Sequence, residues 1–238
     1  MNTARIILAA FMVLLGVPAM AQDEPKATKA EPRDYVFVFI MTGDAADLTP
    51  DEQREAFGGH FSNMKRMAVA GDLLIAGPFG PPLADADHRG LFVFDAATIE
   101  QGMVFADTDP TTKAGVFKLT PHLLTTDEPL TKLHELDMKA LEEQGENAPP
   151  GSNARAYLLA SAPFDEKLYE EANEAEGVLI AARLHGSGED ESDEILLWLD
   201  AENEEAAKEI AGELDGEWTL HGWYGSKSVA ELSSTESE

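Results

Sequence analysis

The sequence contains no cysteine, which excludes disulfide bonds and every site that needs a thiolate. Stability must therefore come from a packed core. Basic residues are also scarce, because 17 lysines and arginines stand against 45 aspartates and glutamates, for a formal net charge of -28. A surface of this sign repels phosphate groups and anionic lipids. We therefore expect no nucleic-acid partner.

No apolar run beyond the N-terminal region is long enough to span a bilayer. At the N-terminus, Arg5 precedes the apolar segment 6–17, and residues 19–21 (AMA) have the small-x-small pattern of a cleavage site. We interpret residues 1–21 as a signal peptide. The mature chain is predicted to begin at Gln22, to be periplasmic or secreted, and to have no membrane contact after cleavage.

Residues 49–79 carry the clearest local signals in the chain. Thr49 is suited to the N-cap of a helix, Pro50 to its first position, and Glu52 to the return bond of a capping box. Gly71 is a typical helix stop. These residues predict a helix between Thr49 and Gly71, followed by a short apolar strand.

One face of this helix is predicted to be apolar. Phe57, Phe61 and Met64 recur at steps of three and four residues, and His60 lies in the same stripe. The stripe predicts that the imidazole of His60 points inward, toward whatever the helix packs on.

Strand and helix signals follow the order β-α-β-β-α-β twice, first in residues 35–124 and again in residues 154–225. The segments GDLLIAGPF and EGVLIAARL match between the two sets, which indicates a duplication. Each ferredoxin-like unit would leave one apolar sheet face uncovered. We therefore predict an α+β fold in which two such units pack face to face as an intramolecular pseudo-dimeric α+β barrel, and hence a monomer.

The remaining segments are assigned from their composition. Residues 22–34 are predicted to be a flexible leader, residues 125–153 a connecting helix and linker, and residues 226–238 a disordered tail. The two ferredoxin-like units would then be the folded domains of the chain.

Several short motifs follow one another in the first unit. In chain order they are His60, residues 70–72 (AGD), residues 76–78 (AGP), Gly90, Asp109-Pro110 and residues 114–117 (AGVF). In this order and spacing, the first unit resembles the YCII-related family of the dimeric α+β barrel superfamily, and the second unit is interpreted as a degenerate copy. The resemblance implies that His60 and Asp109 form the catalytic pair. Most members of that family have no assigned reaction.

A histidine held by a carboxylate through one ring nitrogen keeps one tautomer and offers the other nitrogen as a base. This favours a cofactor-free enzyme that performs isomerase- or lyase-like proton transfer on a small molecule. Gly77, Pro78 and Phe79 are the candidate substrate-binding residues, because glycine lets a ligand approach the backbone. Two alternatives stay open: a buried structural histidine, and a non-catalytic small-molecule-binding or protein-interaction module.

The second unit lacks both members of the pair. Residues 165–176 contain no histidine, and no Asp-Pro follows the helix predicted from residue 201. His185 and His221 are interpreted as edge or packing residues. The site is therefore predicted to be single.

Three further ligand hypotheses have weaker support. The acidic segment 186–194 could hold calcium, but it lacks EF-hand spacing and is typical of a hairpin loop. His60, His88 and His122 could bind a metal, although their spacing matches no known site. His60 could also serve as a haem ligand, without any haem motif beside it. We therefore expect no metal and no cofactor.

Overall fold

The computed structural model describes residues 31–45, 48–145, 151–187 and 192–232. The predicted signal peptide lies outside the described residues, as do most of the predicted leader, part of the predicted linker and the end of the predicted tail. Within the described ranges, no helix is both long and apolar enough to cross a membrane.

The described residues form eight strands and seven helices. The strands are β1 (Arg33–Thr42), β2 (Leu73–Gly80), β3 (His88–Phe94), β4 (Phe117–Thr126), β5 (Ala154–Pro163), β6 (Val178–Leu184), β7 (Glu194–Leu199) and β8 (Thr219–Ser226). The helices are α1 (Pro50–Ala70), α2 (Ile99–Ala106), α3 (Pro110–Lys113), α4 (Lys132–Gln144), α5 (Glu166–Ala172), α6 (Glu204–Gly212) and α7 (Ser228–Glu231).

All eight strands belong to one closed antiparallel barrel, in the order β1-β3-β2-β8-β5-β7-β6-β4. The prediction of two ferredoxin-like units packed face to face as an intramolecular pseudo-dimeric α+β barrel is therefore wrong. The two halves of the chain meet edge to edge, through pairing of β2 with β8 and of β4 with β6. Two separate sheets would leave unpaired N–H and C=O groups along their edge strands, and closure of the barrel satisfies them.

Residues 35–41 of strand β1 are all apolar because both faces of the strand are buried. Tyr35 and Phe37 point into the barrel interior, whereas Val36 and Val38 point outward and belong to a core that includes Met67 of α1. Side chains alternate between the two faces of a strand, and here both faces are buried. The barrel thus has an inner core and a separate outer core beneath the helices.

One end of the barrel is closed by apolar side chains that follow β4 and β8. Leu130, Leu133, Val229 and Leu232 are all at most 1% exposed and belong to the inner core. The backbone N–H of Leu130 also donates a hydrogen bond of 3.1 Å to the hydroxyl of Tyr35, at the start of β1. The opposite end of the barrel carries the cavities described in the next subsection.

The seam between β2 and β8 depends on a close approach at Gly77. A Cβ atom at Gly77 would lie 2.1 Å from the carbonyl oxygen of Tyr224 and 2.8 Å from Nε1 of Trp223. Any side chain at this position would therefore force the two strands apart. The seam that joins the two halves of the chain needs glycine here.

Replacement of Gly77 by alanine is expected to lower the free energy of unfolding by about 1–3 kcal/mol, the usual cost of overpacking. Gly80 provides a matched control on the same strand, since a Cβ atom there would meet nothing within 4 Å. Gly80→Ala should change stability by less than about 0.5 kcal/mol. Urea unfolding of both variants measures the difference, and equal midpoints would contradict the role of Gly77 in the seam.

Candidate functional site

His60 and Asp109 lie against each other on the outer face of the barrel. Nδ1 of His60 is 2.6 Å from Oδ2 of Asp109, and the two side chains are only 9% and 1% exposed. The structure therefore brings together the two residues that the family resemblance implies as a pair. Their catalytic role stays a prediction.

Local sequence explains how Asp109 is oriented. It is the N-cap of α3, where its Oδ1 accepts hydrogen bonds from the backbone N–H of Thr111 (2.9 Å) and from the Thr111 hydroxyl (2.6 Å). Oδ2 is thus left for His60. Helix α1 can approach α3 closely because Gly59 lies against Pro110. A Cβ atom at Gly59 would be 2.8 Å from the proline ring. Gly59 was not singled out from the sequence, although it directly precedes the histidine.

The electrostatics of the pair assign the proton positions. Burial by itself raises the pKa of Asp109, but the hydrogen bonds from His60 and Thr111 outweigh it and hold that pKa below its ordinary value. Asp109 is therefore a carboxylate at neutral pH and can only accept hydrogen bonds. In a neutral imidazole, Nδ1 of His60 must then carry the proton, and Nε2 is the basic nitrogen.

The imidazole of His60 lies among aromatic rings. Nε2 makes no hydrogen bond to the described residues, and the side chain as a whole is 9% exposed. The rings of Phe57, Phe61, Phe92 and Phe117 lie around the imidazole, at centroid distances of 6.4, 5.3, 6.0 and 5.8 Å respectively. Phe61 is 63% exposed. The arrangement offers one base beside an apolar surface that is open at its edge.

The three predicted substrate-binding residues lie next to one another on strand β2. Gly77 packs against β8, Pro78 is exposed, and Phe79 turns into the barrel interior, toward Phe39. His60 belongs to the outer face of the barrel wall. Phe79 is thus on the opposite side of the barrel wall from the pair, and the role of all three residues in substrate binding stays a prediction.

Two adjoining cavities occupy the open end of the barrel. Their volumes are about 240 Å³ and 470 Å³, and they share Phe39, His88 and Glu194 as walls. His221 lines the smaller cavity, whereas His122 and His185 line the larger one. Four of the six histidines of the chain therefore converge here.

Sequence reasoning missed this convergence. The sequence interpretation treats His185 and His221 as edge or packing residues and considers His122 only in a metal hypothesis. A signal was present, because His122 and His221 each precede an inward residue, Leu124 and Trp223, by two positions. Strand alternation turns residues two apart to the same face. Without the strand order, however, their common end of the barrel could not be inferred.

The metal hypotheses find no cluster to support them. In the part of the chain that the structure describes, no group of three or more histidine, aspartate or glutamate side chains could hold a metal ion. Residues 188–191 of the acidic segment considered for calcium lie outside the described residues. No further observation supports the haem hypothesis for His60.

Known proteins resemble this chain in structure but not in sequence. No family model and no curated protein matches the sequence. Among solved structures, it is similar to siroheme decarboxylase NirDL in complex with an iron-uroporphyrin III analogue (12% identity, TM-score 0.41, covering 82% of this chain and 71% of the other). It is also similar to a mutant chlorite dismutase from Candidatus Nitrospira defluvii (14% identity, TM-score 0.48, covering 87% of this chain and 96% of the other). A third similar structure is a putative monooxygenase from Lactobacillus acidophilus (12% identity, TM-score 0.43, covering 81% of this chain and 94% of the other). These similarities assign the chain to no family.

Proposed function

We propose that this chain is a small-molecule enzyme in which His60 transfers protons and Asp109 holds the imidazole in place. The single observation that carries the proposal is the 2.6 Å contact between Nδ1 of His60 and Oδ2 of Asp109. It leaves Nε2 as the basic atom, beside the rings that surround the imidazole. Membership of the YCII-related family is part of the proposal and rests on the sequence motifs alone.

The proposed chemistry needs only the residues of the pair. Nε2 of His60 removes a proton from a carbon next to an activating group, and the electron pair of the broken C–H bond moves into that group. Asp109 stabilises the imidazolium that forms, through the hydrogen bond at Nδ1. The imidazolium then returns the proton at another atom, which gives an isomerase, or passes it to a leaving group, which gives a lyase. The exposed edge of Phe61 would contact an apolar part of the substrate.

Solvent exchange of carbon-bound hydrogen tests this proposal without a known substrate. A panel of cyclic ketones and unsaturated lactones is incubated with the protein in D₂O, and loss of the acidic C–H signals is followed by NMR. At least one compound should exchange faster than in buffer. His60→Gln should slow this exchange by about 100-fold or more, the usual range for a general base.

His134 provides a matched control, because it is also a partly buried histidine at a helix contact, with Nδ1 3.0 Å from the carbonyl oxygen of Ala68. His134→Gln should leave the exchange rate unchanged. Equal rates for wild type and His60→Gln, or no exchange above buffer across the panel, would reject the proposal.

The second candidate function is a non-catalytic small-molecule-binding module, and the cavities at the open end of the barrel favour it.

Export to the periplasm or beyond is proposed from residues 1–21 only. N-terminal sequencing of the mature protein would identify Gln22 as its first residue, and an intact Met1 would contradict export by this route.

A further inference from the structure

The open end of the barrel is a site separate from the His60–Asp109 pair. Phe39 and Phe79, which line its cavities, pack against the inner core, whereas Phe92, which contacts His60, belongs to the outer core. The barrel wall therefore lies between the two sites. A ligand in the cavities would not touch the proposed base, so each site can be tested alone.

Aromatic rings form the walls of these cavities. His88 stacks on Phe39 with centroids 4.4 Å apart and an interplanar angle of 17°. Phe79 lies 5.9 Å from the ring of His88 and 6.0 Å from that of His221. Such ring faces bind flat ligands by stacking, and they attract cations through their negative π-faces.

His88 and His122 line the cavities, and each has a ring nitrogen that makes no hydrogen bond to the described residues. Nδ1 of His88 is buried and makes no hydrogen bond to any described residue. Nδ1 of His122 lies 3.0 Å from the carbonyl oxygen of His185, so it carries the proton, and Nε2 is left as an acceptor. An N–H donor could supply the partner that these two nitrogens lack.

The charges around the cavities have one sign. Asp85 and Glu194 line them, and no lysine or arginine of the described residues does. Burial lowers the pKa of both His88 and His221, against the opposing effect of Asp85, so both rings are neutral at pH 7. An anionic ligand would be repelled here, whereas a cation would be attracted.

We infer that the open end of the barrel binds a planar aromatic cation that carries N–H donors, such as an amidinium or a protonated heteroaromatic amine. Its ring would lie against Phe39 and Phe79, and its N–H groups would donate to the imidazole nitrogens. The smaller cavity, of about 240 Å³, has the size of a single substituted ring system.

Benzamidine is a suitable probe, because it is a flat cation with N–H donors, and benzoate is its anionic counterpart. Addition of benzamidine to the full-length protein should produce saturable shifts in the NMR ring signals of His88, His122 and His221. Benzoate at the same concentrations should produce none. Equal binding of both compounds, or no shift with benzamidine, would overturn the inference.

Three single substitutions test where benzamidine binds. Phe39→Leu keeps an apolar side chain of similar size but removes the ring, and should weaken benzamidine binding at least fivefold. His134→Gln, on the contact between α4 and α1, should bind as wild type does. His60→Gln should also bind normally, so failure of this inference and failure of the proposed function remain distinguishable. Unchanged binding by Phe39→Leu would contradict the site.

Discussion

Replacement of Asp109 by alanine is expected to lower the free energy of unfolding by about 3–5 kcal/mol, the cost of removing one partner of a buried pair. Asp109 is 1% exposed and accepts hydrogen bonds from His60, from the Thr111 backbone and from the Thr111 hydroxyl. All three donors would lose their acceptor in a place that water reaches poorly. Urea denaturation at pH 7 measures the loss.

Asp165 is the matched control for this prediction. It is also an aspartate at a helix N-cap, where it accepts a hydrogen bond of 2.9 Å from the backbone N–H of Leu168, but its side chain is exposed. Asp165→Ala should cost about 1 kcal/mol, as loss of an ordinary cap does. If Asp109→Ala costs no more than Asp165→Ala, the contact with His60 contributes nothing beyond capping.

Acid is expected to destabilise the protein through His221, by up to about 3 kcal/mol between pH 6.5 and about 4. Burial first, and then the neighbouring His88, lower the pKa of His221 from its ordinary 6.5 to about 4, although Asp85 acts in the opposite direction. The unfolded chain therefore takes up a proton at a higher pH than the folded chain. The stabilising contribution is complete above pH 6.5, falls as the pH drops, and is lost at about pH 4.

His221→Gln removes this titration and should flatten the pH dependence. The free energy of unfolding is measured for both proteins at intervals between pH 7 and pH 4. The other titratable groups are common to both proteins, so the difference between the two curves reports on His221. Parallel curves for wild type and His221→Gln would contradict the prediction.

Helix α1 shows which structural features can be predicted from local sequence signals. The capping box of Thr49 and Glu52, Pro50 at the first position and Gly71 at the C-cap are all present in the structure, so the predicted helix is confirmed. His60 is buried as expected. The predicted apolar stripe is only partly right, because Phe61 is 63% exposed. Periodicity predicts which residues share a face, but not how much of that face a neighbouring element covers.

The pairing of His60 with Asp109 could be anticipated from a family resemblance, but its surroundings could not. The contact joins residues 49 positions apart. It depends on the close approach of Gly59 to Pro110, which no periodicity encodes. Likewise, His122 and His221 lie on different strands, and only the order of strands around the barrel brings them to one end.

Four features of this protein can be predicted from its amino-acid sequence: the caps of α1, the strands with two apolar faces, the acidic surface and the absence of disulfides. These follow from local backbone chemistry and from side-chain composition. Tertiary structure alone decided that two four-strand blocks close into one barrel, because edge pairing is made by backbone groups that every residue shares. It also decided that four histidines meet at the open end, since convergence depends on strand order and not on the spacing of residues along the chain.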